Sequence, residues 1–168
     1  MTWRATAGMA AVLVALLVVG WALERWPAAP DEAPPLLAAP ERAARIAWTT
    51  PAAELVVVRA DEGWRDARGR AVDAGVVRDL LDALGSLRPV LTIDAASDAG
   101  DDFGLGAGAG RLRVADAAGD ALCDLVVGRR NPAGTGVYVQ RAGAASVLVV
   151  GALLDWELAK LRQRDTTP

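Results

Sequence analysis

The stretch RLRVADAAGDALCDLVVGRRNPAGTGVYVQRAGAASVLVV, residues 111–150, decides the fold. Arg111-Leu112-Arg113-Val114 alternates polar and apolar residues, the period of a half-buried strand. Ala117 to Asp120 reads as a turn, and Leu122 to Val127 returns as an apolar strand. Gly128 to Gly136 then forms a longer, basic and Gly-rich loop. Beyond it lie the strand Val137-Tyr138-Val139-Gln140, a turn at Ala142-Gly143 and a strand from Val147 to Val150. Strands joined by turns pair with their neighbours, so this is an antiparallel meander. A helix from about Ala152 to Arg164 closes it, with Leu154, Leu158 and Leu161 on one face. Asp155 near its start and Arg162 and Arg164 near its end match the helix dipole.

Upstream, the same plan appears in weaker form. Ile46 and Trp48 alternate with Ala47 and Thr49, Glu54 to Ala60 is a β-branched run, and Asp61-Glu62-Gly63 turns into Trp64-Arg65-Asp66. Asp73 suits the N-cap of a helix in which Val77, Leu80, Leu81, Leu84 and Leu87 recur at helical spacing while Arg78, Asp79 and Asp82 face away. Pro89 is expected to end that helix. Val90, Leu91 and Ile93 suggest one more strand, after which Asp94 to Gly110 loses any period and reads as a loop with at most one helical turn. The order βββαβ followed by ββββα points to a weak duplication. The expected fold is α+β, an antiparallel meander sheet with two amphipathic helices covering one face.

Before residue 44 the chain changes character. Ala5 to Leu23 carries no charge over 19 residues, enough to cross a hydrocarbon core of about 30 Å at about 1.5 Å per residue. Trp3, Trp21 and Trp26 lie near its two ends, where indoles favour the interface. The run exceeds the core of an ordinary cleavable signal peptide, so residues 1–26 are expected to be an uncleaved transmembrane signal anchor. Pro27, Pro30, Pro34, Pro35 and Pro40 make residues 27–43 a Pro/Ala-rich, semi-rigid stalk. Residues 44–164 then form a single α+β domain. The Lys/Arg bias is slight, and the signal-anchor layout favours a single pass through the inner (cytoplasmic) membrane with the C-terminal domain outside the cytoplasm.

Composition removes several classes of function. A net charge of -3 with scattered arginines argues against a nucleic-acid partner. Without histidine, His-based triads and HExxH zinc chemistry are excluded. Cys123, the only cysteine, can form no intramolecular disulfide and reads as a small buried hydrophobe. The run from Phe103 to Gly110 can be fitted to a dinucleotide fingerprint, but it follows Asp101-Asp102 and opens a strand, the wrong context, so no cofactor is expected. Asp94, Asp98, Asp101 and Asp102 lack the calcium-loop pattern, so no metal is expected either. No catalytic constellation stands out. Arg129, Arg130 and Asn131 fall in the expected long loop, whose functional alternative to a plain hairpin connection is a recognition loop for a partner protein.

The order of landmarks resembles the bacterial domain of unknown function 4340. They are Trp64, Val72-Asp73 before Leu80-Leu81 and Leu84, Phe103-Gly104-Leu105, Val126-Val127-Gly128, and Gly136-Val137-Tyr138-Val139, spread from Ile46 to Leu161 behind a leading hydrophobic helix. Two departures stand out: Gly106 occupies the place of the pattern's Asp after Gly-Leu, and the Pro that usually follows is missing. The resemblance implies that Phe103, Gly104, Leu105, Gly128, Gly136 and Tyr138 are family-motif positions. It implies no catalytic residue, and an accessory subunit of a gliding-motility-type ABC transporter complex with a membrane partner such as the permease. Phe103 and Leu105 are expected to plug the core, with Gly104 in a conformation that other residues avoid. The expected function is therefore a non-enzymatic, membrane-anchored accessory protein of the envelope. An anchored small-ligand-binding or sensor module is the alternative.

Overall fold

The computed structural model describes residues 33–94 and 100–165. The expected anchor, residues 1–26, and the first part of the stalk lie outside the described residues. Among the described residues no helix is long and apolar enough to cross a membrane.

Nine strands form one sheet: β1 (Arg45–Thr49), β2 (Glu54–Ala60), β3 (Gly63–Asp66), β4 (Ala71–Val72), β5 (Leu91–Asp94), β6 (Gly110–Ala115), β7 (Ala121–Arg130), β8 (Gly136–Arg141) and β9 (Ser146–Gly151). Two helices, α1 (Ala74–Ser86) and α2 (Leu153–Asp165), complete the α+β fold. The strand order is β4-β3-β2-β1-β6-β7-β8-β9-β5, and every neighbouring pair is antiparallel. The sheet is thus two four-stranded meanders joined through their first strands, β1 and β6, where Ala47 faces Arg113. A single meander was expected. Instead β5 leaves the first half after α1 and pairs with β9 at the far edge.

Alternation along the strands sorts the side chains. Ile46, Trp48, Leu112, Val114, Leu125, Val139 and Val150 point to one face, where they join Val77, Leu80 and Leu84 of α1 and Leu154, Leu158 and Leu161 of α2 in one buried core. Asp73 caps α1 as expected, its carboxylate accepting from the Gly75 amide at 2.7 Å. The helix stops at Ser86, before Pro89, because Leu87 already turns to extended geometry.

Three expectations about boundaries are corrected. The stalk does not run to residue 43: Leu36 and Leu37 are each only 1 % exposed and belong to the core. They also end α1. The Leu36 amide donates to the Leu87 carbonyl at 3.1 Å and the Leu37 amide to the Leu84 carbonyl at 3.0 Å, occupying acceptors that a helix C-terminus leaves open. Next, β7 continues through Gly128, Arg129 and Arg130 past an irregularity in its pairing with β8, so the expected loop shrinks to 131–135. Last, β4 was not expected. It follows the turn Asp66-Ala67-Arg68-Gly69-Arg70 and pairs with β3.

Candidate functional site

The connection from β5 to β6 has to pass three strands, β9, β8 and β7, about 19 Å at the usual strand spacing. A ring contact marks its course: Phe103 meets Tyr138 edge to face, with centroids 4.9 Å apart. Val137 and Val139 point into the helix-side core, so Tyr138 between them points to the opposite face. Residues 100–109 are therefore a strap across the back of the sheet.

The motif glycines make room for this strap. A Cβ at Gly128 would stand 2.3 Å from the Phe103 carbonyl oxygen and 3.1 Å from Leu105. Gly104 has φ +69, and a Cβ there would stand 2.9 Å from the Arg129 backbone nitrogen. Both positions need glycine, one for close approach and the other for conformation as well. Gly136 serves the next pairing, since a Cβ there would stand 2.6 Å from the Val150 carbonyl oxygen. Gly106, where the resembled pattern carries Asp, leaves space that the Asp101 carboxylate fills.

Arg129, Arg130 and Asn131 form internal ties. The Arg129 guanidinium donates to the Asp102 carbonyl, fastening the strap to β7. Arg130 pairs with Asp155 at 2.6 Å and so fastens β7 to the first turn of α2. The Asn131 side-chain oxygen accepts from the Thr135 and Gly136 amides at 3.0 and 3.1 Å, closing its own loop. The structure thus brings Phe103, Gly104, Leu105, Gly128, Arg129 and Tyr138 together in one strap-and-sheet contact. Arg130, Asn131 and Gly136 hold the adjoining end of β7 and β8.

Where the strap, the end of β7 and α2 converge, a cleft of about 440 Å³ opens, lined by Trp48, Asp101, Gly104, Arg129, Asp155 and Arg162 among others. Gly110 accommodates the Trp48 ring, which a Cβ would meet at 2.1 Å. The buried Trp48 Nε1 donates to no partner among the described residues. The cleft thus offers guanidinium and carboxylate groups beside an apolar wall, a set suited to hydrogen bonding and ion pairing. Cys123 lies elsewhere, buried on the inner face with its thiol pushed up to about 12 by burial. Among the described residues no group of three or more His, Cys, Asp or Glu could hold a metal ion.

Sequence reasoning missed two parts of this arrangement. The Trp48–Gly110 contact joins positions far apart in the chain, and only their facing strands bring them together. The docking of Leu36-Leu37 is signalled by two leucines in an otherwise Pro/Ala-rich stretch. Arg141 reinforces that docking by donating to the Pro35 and Leu36 carbonyls at 2.8 and 3.3 Å.

The family described as a domain of unknown function, DUF4340, matches residues 64–166. The match begins in β3 and takes in the strap, the motif glycines and both helices. No curated protein and no solved structure matches the chain.

Proposed function

Starting from the premise that the chain belongs to the DUF4340 family, we propose that it is a non-enzymatic, single-pass accessory protein anchored in the inner membrane of a bacterial envelope. Its domain lies outside the cytoplasm and serves as an auxiliary subunit of a gliding-motility-type ABC transporter complex, docking on a membrane partner such as the permease.

The observation that carries this reading is the way the chain enters the fold. An uncharged 19-residue span, Ala5 to Leu23, is followed after a short Pro-containing segment by Leu36 and Leu37, which are built into the domain core. A hydrophobic segment so joined holds the domain near the bilayer and fixes the place on the fold from which the tether departs. Affinity purification of the full chain from membranes in mild detergent is expected to recover permease and ATPase components. Recovery of this chain alone would count against the reading. A reporter fused after Pro168 is expected to be active outside the cytoplasm, and cytoplasmic activity would reverse the sidedness.

The cleft at Trp48, with its unpartnered buried indole nitrogen, favours a second reading, an anchored module for a small ligand. A small-molecule screen tests it, because a ligand at about 100 times its Kd stabilises its protein by about 2.7 kcal/mol. No thermal shift at saturating concentrations dismisses it.

A further inference from the structure

We infer that the back of β1 and β6 holds a phosphomonoester, with its phosphoryl group between Arg45 and Arg113. The inference goes beyond the anchored reading and does not depend on it. Ile46, Trp48, Leu112 and Val114 point to the helix-side core, so Arg45, Ala47, Arg111 and Arg113 point to the opposite face. Arg45 faces Ala115 across the strand pair and Arg113 faces Ala47. The two arginines are therefore diagonal neighbours on one face, about 7–8 Å apart at the backbone. Each has an alanine directly opposite, which leaves space above the sheet. A cavity of about 390 Å³ occupies that space, lined by Arg45, Ala47, Thr49, Arg111 and Arg113 among others, and it shares no residue with the Trp48 cleft.

The charges around this cavity do not balance. Asp124 faces Arg113 directly across β6 and β7, yet its two oxygens accept from Arg111, at 2.8 and 2.7 Å. Asp116, in the turn that closes the cavity at Gly119, is taken by Arg42 at 2.6 Å and by two amides of its own turn. Glu54 lines the far end, opposite Thr49, and Thr49 lies four residues along β1 from Arg45, about 13 Å at the usual strand rise. Among the described residues Arg45 and Arg113 make no hydrogen bond or ion pair. Two unmatched guanidinium groups thus stand side by side over a floor of small residues, in a chain whose net charge is -3. A phosphomonoester carries about two negative charges at neutral pH, and arginine forks onto phosphate oxygens with paired hydrogen bonds. A single carboxylate answers only half of the excess. Further along the cavity, the Thr49 hydroxyl and the Glu54 carboxylate can accept from hydroxyl groups on the organic part of the ester.

The test is calorimetric titration of the full chain, held in mild detergent, with glycerol 3-phosphate at constant ionic strength. Saturable binding is expected, weakened about tenfold or more by Arg45→Gln or Arg113→Gln, since each removes charged hydrogen bonds to the ligand. Both side chains are exposed, so both variants should melt with the wild type. Arg68→Gln removes the same charge from an exposed turn and should bind as the wild type does. Arginine keeps its charge on acidification while the ester loses its second one, so affinity should fall about tenfold between about pH 7.5 and about pH 5. Short-chain phosphatidic acid, titrated in parallel, separates two sources of the same group: tighter binding than glycerol 3-phosphate identifies a lipid headgroup, and weaker binding a soluble ester. Absence of saturable binding by either compound at millimolar concentration would overturn the inference. Equal affinity in the wild type, Arg45→Gln and Arg113→Gln would overturn it as well, because the ester would then sit elsewhere.

Discussion

The two halves of the sheet repeat one plan and use it differently. Each is a four-stranded antiparallel meander followed by a helix of 13 residues. The helix-facing sides match closely: at one constant offset Val77, Leu81 and Leu84 of α1 correspond to Leu154, Leu158 and Leu161 of α2, all buried. The backs differ. In the second half the strap crosses β8 and β7, and Gly128 and Tyr138 are shaped for it. Among the described residues no strap passes over the first half, and Val58 on the back of β2 is 39 % exposed. The family-motif residues that cluster at Phe103, Gly104, Leu105 and Gly128 thus mark the place where the duplicated plan is broken by a crossing chain. Their glycines answer to close backbone approach.

The sharpest test of the helix correspondence is its one mismatch. Leu80 of α1 is fully buried, while its counterpart in α2 is Glu157, the only charged residue among the buried ones described, at 4 % exposure. Glu157 is tolerated because Lys160 reaches its carboxylate at 2.9 Å. Leu80→Glu brings no such cation, and burying an unpaired carboxylate is expected to destabilise by about 4 kcal/mol. That is enough to unfold much of the chain at moderate urea, read by circular dichroism. A loss under about 1 kcal/mol would mean that the α1 position is not buried as its α2 partner is.

The strap supplies the next test. Gly128→Ala forces a methyl group against the Phe103 carbonyl and is expected to cost about 2 kcal/mol in urea unfolding. Val58→Ala, on the bare back of the other half, should cost under about 0.5 kcal/mol. Equal costs at the two positions would erase the distinction between a strapped and an open half. The reverse change at the helix mismatch, Glu157→Leu, is expected to stabilise by about 1 kcal/mol, since replacing a buried ion-paired group with a hydrophobe of similar volume is often favourable. Lys160 keeps Asp79 at 3.4 Å. A clear loss of stability would show that the buried carboxylate does more than fill its place.

How much of this was legible follows from where the information lies. The β-branched runs and the Leu spacing of both helices are local, so the strands, the caps and the duplicated order could be read directly. The far pairing of β5 with β9 could not, because nothing in Leu91–Asp94 says which edge it will join. The extension of β7 was hidden by Gly128-Arg129-Arg130, which look like loop residues in sequence. They sit in a strand because the strap needs the glycine below it and the arginines tie down its neighbours. Leu36-Leu37 was masked by the prolines around it, although two adjacent leucines in a supposed spacer were the available signal. At the candidate site the motif positions were named from the resemblance, and their joint purpose became clear only from the crossing.

The smallest expected effect separates two turns of identical design. Asp66-Ala67-Arg68-Gly69-Arg70 and Asp116-Ala117-Ala118-Gly119-Asp120 each fold around an Asp carboxylate that accepts two amide hydrogens of its own turn, with Gly69 at φ +78 and Gly119 at φ +92. Each Asp also holds a guanidinium at 2.6 Å, but Asp66 takes it from Arg70 within the turn and Asp116 from Arg42 in the docked segment before β1. Desolvation pushes both carboxyls upward. Hydrogen bonds from the Arg70 and Arg68 amides and the Arg70 guanidinium at Asp66, and from the Asp120 amide, Arg42 and the Ala118 amide at Asp116, outweigh it and hold both below the ordinary value. With folded values lowered, each contributes stability that is present above the unfolded value of about 3.9 and is lost as pH falls through the folded one. Asp66→Asn and Asp116→Asn should each flatten the fall in the urea midpoint as pH is lowered through and below that value. Only Asp116→Asn should also speed hydrogen exchange at Ala43 and Ala44, because only its partner belongs to the segment that carries the tether. Matching exchange in the two variants would show that Arg42 does not hold that segment down.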